Sequence, residues 1–140
     1  MYILDTNVIS ELRKIRVGTA NPNVAAWAKS VQFSTLFVST ISIMEIEIGV
    51  LSLERKDATQ GHLLRSWLEN IVLPKFSGRI LPVDTDVARQ CARLHVPNRR
   101  NERDAVIAAT GLVYGMPIVT RNVADFMDTG VTILNPWDKP

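Results

Sequence analysis

The sequence predicts an α/β fold built on a mainly parallel sheet covered on both faces. Short apolar runs alternate along the chain with stretches of helical periodicity. Each apolar run is continuous instead of alternating with polar residues, which is the pattern of a strand buried on both sides. The chain has 140 residues, 46% apolar and 21% charged. It is thus long enough for a single domain over residues 1–140 with a substantial core, and too apolar for disorder.

The elements follow in order. Tyr2-Ile3-Leu4 is a short apolar run that stops at Asp5 and passes into Thr6 to Leu12, a strand feeding a helix. Leu36-Phe37-Val38 leads through Ser39-Thr40 to a helix from Ser42 to about Lys56. A long helical region runs from about Ala58 to Phe76, followed by a short strand near Arg79 to Val83 and a helix capped by Asp84 or Thr85 that reaches about His95. Asn101 caps the next helix, which runs to about Tyr114 and stops at Gly115 with Pro117 two residues on. Pro117 to Thr120 and Val131 to Leu134 are the last two strands. Gly18 to Asn23 and Val96 to Arg100 are expected as the flexible loops.

Several classes are excluded. The single cysteine, Cys91, forms no internal disulfide and reads as a small buried thiol in a reducing compartment. Met1 to Asp5 has no secretory pattern, and the longest apolar stretch, Val106 to Val119, is too short to span a membrane. A net charge of +2 is compatible with a polyanionic partner without identifying one. Two basic clusters, Arg13-Lys14-Arg16 and Arg99-Arg100-Arg103, read first as solvated helix ends.

In parallel sheets ligands gather at the carboxyl ends of strands. Asp5 stands there, Glu45 in the first turn of the helix after the second strand, and Asn122 and Asp125 after the strand ending at Thr120. Asp104 lies in the first turn of another helix. Taken singly, each acid is better explained structurally: Ser42 to Glu45 matches a capping box, Asn101 to Asp104 has a similar layout, and Asp125 suits a turn. The helical faces favour more. Glu45 heads a narrow polar stripe with Gly49, Ser52 and Lys56, flanked by Ile46 and Val50 on one side and Met44, Ile48 and Leu51 on the other. Asp104 shares a face with Ala108 and Gly111, small residues that admit another backbone. Glu47 points among apolar residues and is expected in a salt bridge. Clustered carboxylates raise one another's pKa unless a cation neutralises them, and an all-oxygen set suits Mg²⁺ or Mn²⁺. Zinc is disfavoured, because His62 and His95 have no ligand spacing and there is no cysteine pair.

Four segments in this order, Asp5 to Leu12, Met44 to Gly49, Asp104 to Thr110 and Thr120 to Phe126, resemble PIN-domain proteins, and among them the VapC and FitB toxins of bacterial toxin-antitoxin pairs. The resemblance implies a three-layer α/β/α nuclease fold. It implies Asp5, Glu45 and Asp104 as the first three catalytic acids, with Asp5 and Asp104 as ligands of Mg²⁺ or Mn²⁺. At the fourth position many members place an aspartate where Asn122 stands, whereas FitB-like members have Asn there and an acid three residues later, as at Asp125. Thr6 and Thr120 match flanking hydroxyl positions, and Asn7 a polar residue beside the first acid. Also implied are an RNA substrate, a cognate antitoxin whose wrapping peptide sets a basic side chain near the acids, contact with DNA only through that antitoxin, a homodimer and a cytoplasmic location. Ile9, Leu12 and Ile15, at helical spacing, mark either the antitoxin groove or ordinary core.

Metal-assisted hydrolysis of a phosphodiester needs no covalent nucleophile, and Ser10, Ser39, Ser42 and Cys91 have no adjacent histidine base. The principal rival is a non-catalytic PIN-like module that pairs with a DNA-binding partner in transcriptional repression. A haloacid-dehalogenase phosphatase fits less well, because Asn7 replaces its second aspartate, and a receiver domain carries its phosphoaccepting aspartate after a later strand. With aromatics at 6% and no interleaved basic-aromatic run, the sequence does not specify which RNA is cut.

Overall fold

The apolar runs pair as five strands: β1 (Tyr2–Leu4), β2 (Leu36–Ser39), β3 (Ile80–Leu81), β4 (Ile118–Val119) and β5 (Ile133–Leu134). The computed structural model describes residues 1–139. The strands form one sheet in the order β3-β2-β1-β4-β5, and every pairing is parallel. β1 is central. Ile3 stands beside Phe37 on one side and Ile118 on the other, and Leu4 beside Val38 and Val119.

Side chains alternate across a strand, so consecutive apolar residues feed opposite faces. Leu4, Leu36, Val38 and Val119 pack on one face with Val8 and Ile9 of α1 (Thr6–Arg16), Ile46 and Val50 of α3 (Thr40–Lys56), and the segment from Trp67 to Phe76. Ile3 and Ile118 pack on the other with Phe126 and with Ile107 and Ala108 of α7 (Glu102–Tyr114). Behind α7, α6 (Thr85–Leu94) packs through Val87 and Cys91 against Ala105 and Ala109. The result is the three-layer α/β/α sandwich, and each fully buried Val, Leu or Ile in it contributes about 1.5–3 kcal/mol.

Local chemistry sets the helix ends. The side chain of Asp84 accepts the Val87 amide at 2.9 Å and Asn101 the Asp104 amide at 3.2 Å, while Gly115, with φ 66°, closes α7 in the left-handed region. Three sequence expectations are corrected. The stretch Gly18 to Asn23 is not all loop, because Pro22 opens α2 (Pro22–Ser30), capped by Asn21, whose side-chain oxygen accepts the amides of Asn23 and Val24. Helix α3 starts at Thr40, not Ser42, since the Ser39 hydroxyl accepts the Ile41 amide at 3.0 Å; Glu45 therefore lies in the second turn. The region from Ala58 to Phe76 is α4 (Ala58–Trp67), a wide π turn over Leu68–Val72, and the short α5 (Leu73–Lys75). Pro74, which lacks an amide hydrogen and crowds the preceding turn, follows that widening.

Candidate active site

The sheet order reverses at β1: the chain runs from β1 to β2 on one side, and β4 lies on the other. The crevice beyond the carboxyl ends of β1 and β4 is where open parallel sheets bind ligands. Asp5 occupies it, only 6% exposed. One of its oxygens accepts the Thr6 amide at 2.8 Å and so caps α1. The other accepts the Thr120 hydroxyl at 2.8 Å and the Asn7 side-chain amide at 3.2 Å. Asn7 in turn accepts the Arg121 amide at 3.2 Å, and the Thr120 oxygen accepts the Asn122 amide at 3.0 Å. The ends of β1 and β4 are thereby fastened through Asp5, Asn7 and Thr120.

Glu45 reaches the same place from α3. Its Oε1 accepts the Thr6 hydroxyl at 2.7 Å, and its Oε2 lies 3.6 Å from the Arg103 guanidinium. The capping-box expectation is thus overturned: Glu45 points across to α1, and the Ser42 hydroxyl is buried without a hydrogen-bond partner among the described residues. Asp104, half-buried on α7, does not cap either, because Asn101 does so. Gly111, two turns along α7, explains how the helix comes close enough to the sheet. A Cβ there would lie 2.8 Å from the Met116 carbonyl oxygen and 2.9 Å from Ile118.

The acids sense one another. Burial pushes the Asp104 carboxyl up to about 6, with the charges of Asp125, Asp5 and Glu45 adding to the rise. Burial also raises Asp5; its bonds to Thr120 and Thr6 work against this, and the charges of Glu45 and Asp125 add to it. Asp125 stands exposed in the 3₁₀ turn Val123–Phe126, yet its charge reaches both Asp5 and Asp104. Asn122, exposed and uncharged, enters the network through its backbone amide.

The carboxylates after β1, on α3 and in the turn after β4 lie near enough for their charges to raise Asp104 on α7, and an all-oxygen set of this kind suits a hard divalent cation. Among the described residues no three acidic, imidazole or thiol groups close into a cage. Asp5 and Glu45 already spend oxygens on hydroxyl and amide donors. That suits an ion which keeps several waters and takes one or two carboxylates directly. His95 Nδ1 accepts the Arg100 amide at 3.1 Å, and its Nε2 lies 3.7 Å from Glu102.

The PIN domain family matches residues 2–129. The chain belongs to the PIN-domain family. The VapC ribonuclease Y4jK of Sinorhizobium fredii is 34% identical, covering 99% of both chains, and the toxin FitB of Neisseria gonorrhoeae is 33% identical, covering 98% of this chain and 99% of its own. Among solved structures, FitAB bound to the IR36 DNA fragment superposes with a TM-score of 0.88 at 32% identity, over 100% of this chain and 98% of that one. The PIN fold thus accounts for the crevice at β1 and β4. The sequence does not reveal the two contacts of Glu45, with Thr6 and with Arg103. Arg103 precedes Asp104 directly and was legible only as part of a basic cluster.

Proposed function

We infer that this chain is a divalent-metal-dependent endoribonuclease, the toxin of a toxin-antitoxin pair. The observation that supports the reading is Asp5 and Glu45, both bound by Thr6 at the switch point of the sheet, together with Asp104, pushed up to about 6 by burial and by the charges of Asp125, Asp5 and Glu45. Such a cluster holds its charge comfortably only beside a cation. The family membership and the ribonuclease and toxin relatives support the same reading.

Asp5 and Asp104 are assigned as direct ligands of Mg²⁺ or Mn²⁺. When bound, the cation supplies Lewis acidity toward the scissile phosphate and makes a water acidic enough to attack at neutral pH. Thr120 and Asn7 hold the Asp5 carboxylate in one orientation, and Thr6 does the same for Glu45. Glu45 and Asp125 are assigned to accept protons from water in the crevice. Arg103 limits the repulsion at Glu45.

The whole chain is read as one nuclease domain acting in the cytoplasm. Among the described residues no helix is long and apolar enough to cross a membrane. The antitoxin is assigned to an apolar cleft between α1, α2 and the α4–α5 region, where Ile9, Leu12 and Ile15 lie beside Trp67 and Phe76 under a rim that includes Arg13. DNA is contacted only through that partner. Met44, Ile48 and Leu51 form an exposed apolar stripe on α3 that supports pairing of two copies.

The test is cleavage of RNA by the purified chain in Mn²⁺ and in EDTA, with Asp5→Asn and Asp104→Asn alongside. Cleavage should require the metal and fall by roughly 100-fold or more in either variant, because the lost Lewis acid supplies several kcal/mol and each 1.36 kcal/mol is tenfold in rate. Wild-type rates in Asp104→Asn end the carboxylate mechanism. Full activity in Asp125→Asn alone moves only the fourth position.

A further inference from the structure

Arg100, in the segment between α6 and α7, makes more backbone contacts than a solvated loop arginine needs. Its Nε donates to the Leu94 carbonyl at 3.2 Å, its Nη1 to the Met127 carbonyl at 2.9 Å and its Nη2 to the Asp128 carbonyl at 3.1 Å. Its own amide donates to His95 Nδ1 at 3.1 Å. The Leu94 carbonyl belongs to the last turn of α6, where carbonyls lack helical partners and a cation is favoured. The other two belong to the segment just after the 3₁₀ turn that carries Asp125. Asp128 is the one non-glycine residue with positive φ among those described, 64°, and its carbonyl accepts from the guanidinium.

The geometry joins two acids that are far apart in the chain. Asp104 lies one turn beyond Arg100, at the start of α7. Asp125 lies two residues before the first carbonyl that Arg100 holds. From the other side the turn is fixed by Phe126, buried against Ile107 and Ala108 of α7, and by the Thr129 hydroxyl, which donates to the Phe126 carbonyl at 2.6 Å. Phe126 fixes the turn's depth against α7, and Arg100 adds a second anchor, at the residues after the turn, against a swing along the helix. The fork of Arg100, with two parallel donors on successive carbonyls, opposes that swing as a single-point contact does not.

We propose that Arg100 is a positioning residue of the metal site, a backbone clamp that sets the spacing between Asp104 on α7 and Asp125 on the turn after β4. It touches neither acid and acts through the main chain on both sides. The proposal rests on the reading of these acids as a metal site. It gives a function to one arginine of the Arg99-Arg100-Arg103 cluster, which the charge pattern alone assigns to solvent.

The experiment compares Mn²⁺ binding by calorimetry and melting in EDTA for the full-length chain, Arg100→Met, Arg100→Lys and Asp104→Asn. Arg100→Met keeps the aliphatic stem and loses all three side-chain bonds. Its dissociation constant for Mn²⁺ should rise about 10-fold or more, the usual cost of removing a group that orients metal ligands. Cleavage in Arg100→Met should recover toward the original kcat as Mn²⁺ is raised, with KM for RNA unchanged. A purely structural arginine predicts a lower melting temperature by the same margin with and without Mn²⁺ and an unchanged dissociation constant, and that result overturns the proposal. If Arg100→Met does not fold, Arg100→Lys decides: weaker Mn²⁺ binding supports the clamp, and undiminished binding removes it. Asp104→Asn separates the two levels. Lost Mn²⁺ binding there with undiminished binding in Arg100→Met sinks only the clamp, whereas undiminished binding in Asp104→Asn sinks the metal-site reading itself.

Discussion

Asp104 carries a charge that its surroundings resist, and this gives the folded chain a pH dependence of definite sign. Its folded pKa is raised from the ordinary 3.8 to about 6, so between those values the folded state binds a proton that the unfolded chain has already released. Stability therefore falls as pH rises through that window, the reverse of what a salt-bridged carboxylate gives. Asp5 is displaced in the same direction and adds to the trend. In EDTA, melting temperature should decline between about pH 5 and 7, above the range where the lowered carboxyls of Glu11, Glu54 and Asp84 add stability with rising pH, and Asp104→Asn should flatten the decline, because the amide has no proton to lose. Mn²⁺ should restore stability mostly at the upper end, where the acids are ionised and able to bind it. A melting temperature that climbs over the same interval in EDTA would contradict the charge crowding from which the site is argued. Cleavage should gain with pH across the window for the same reason.

At the scale of elements, the close approach of α7 to the sheet depends on one residue without a side chain. Gly111 is buried, and a methyl group there meets the backbone carbonyl of Met116 and side-chain carbons of Val131 and Ile118, all below 3.0 Å. Gly111→Ala should gain the helix preference of alanine and still lose stability, by about 1–3 kcal/mol, because overpacking a fixed backbone exceeds the propensity term. Urea denaturation measures it, and a more stable variant would show that α7 is free to retreat. Much of this architecture was readable beforehand. Continuous apolar runs identified all five strands, and Asp84, Asn101 and Gly115 marked helix ends through their own side chains or lack of one. The signals that misled were ambiguous locally: Asn21-Pro22 suits a loop as well as a cap followed by a first-turn proline, and Ser39 and Ser42 both suit the start of α3. Asp5, Glu45 and Asp125 stood out because each follows a strand, whereas Asp104, on a helix that follows another helix, stood out only through the small residues on its face. The partners of Glu45 did not, since Thr6 and Arg103 are 39 and 58 residues away in sequence and only the fold unites them.

For the whole molecule, the exposed stripe of Met44, Ile48 and Leu51 leads to a definite expectation about assembly. Light scattering of the chain alone should report about twice the mass of one copy, and Ile48→Lys should lower that mass by setting like charges against each other in a symmetric contact. A strictly monomeric mass for the unmodified chain at micromolar concentration removes the dimer and leaves the nuclease reading in place. The central position of β1 has a different consequence, one for the cell that makes the protein. The first strand is paired on one flank by β4, and the bond between Thr120 and Asp5 spans 115 residues. During synthesis β1 waits, unpaired on that flank, until β4 and Thr120 have been translated, as contacts so distant in sequence cannot form earlier. A nascent or truncated polypeptide therefore bears Asp5, Glu45 and even Asp104 without the framework that aligns them.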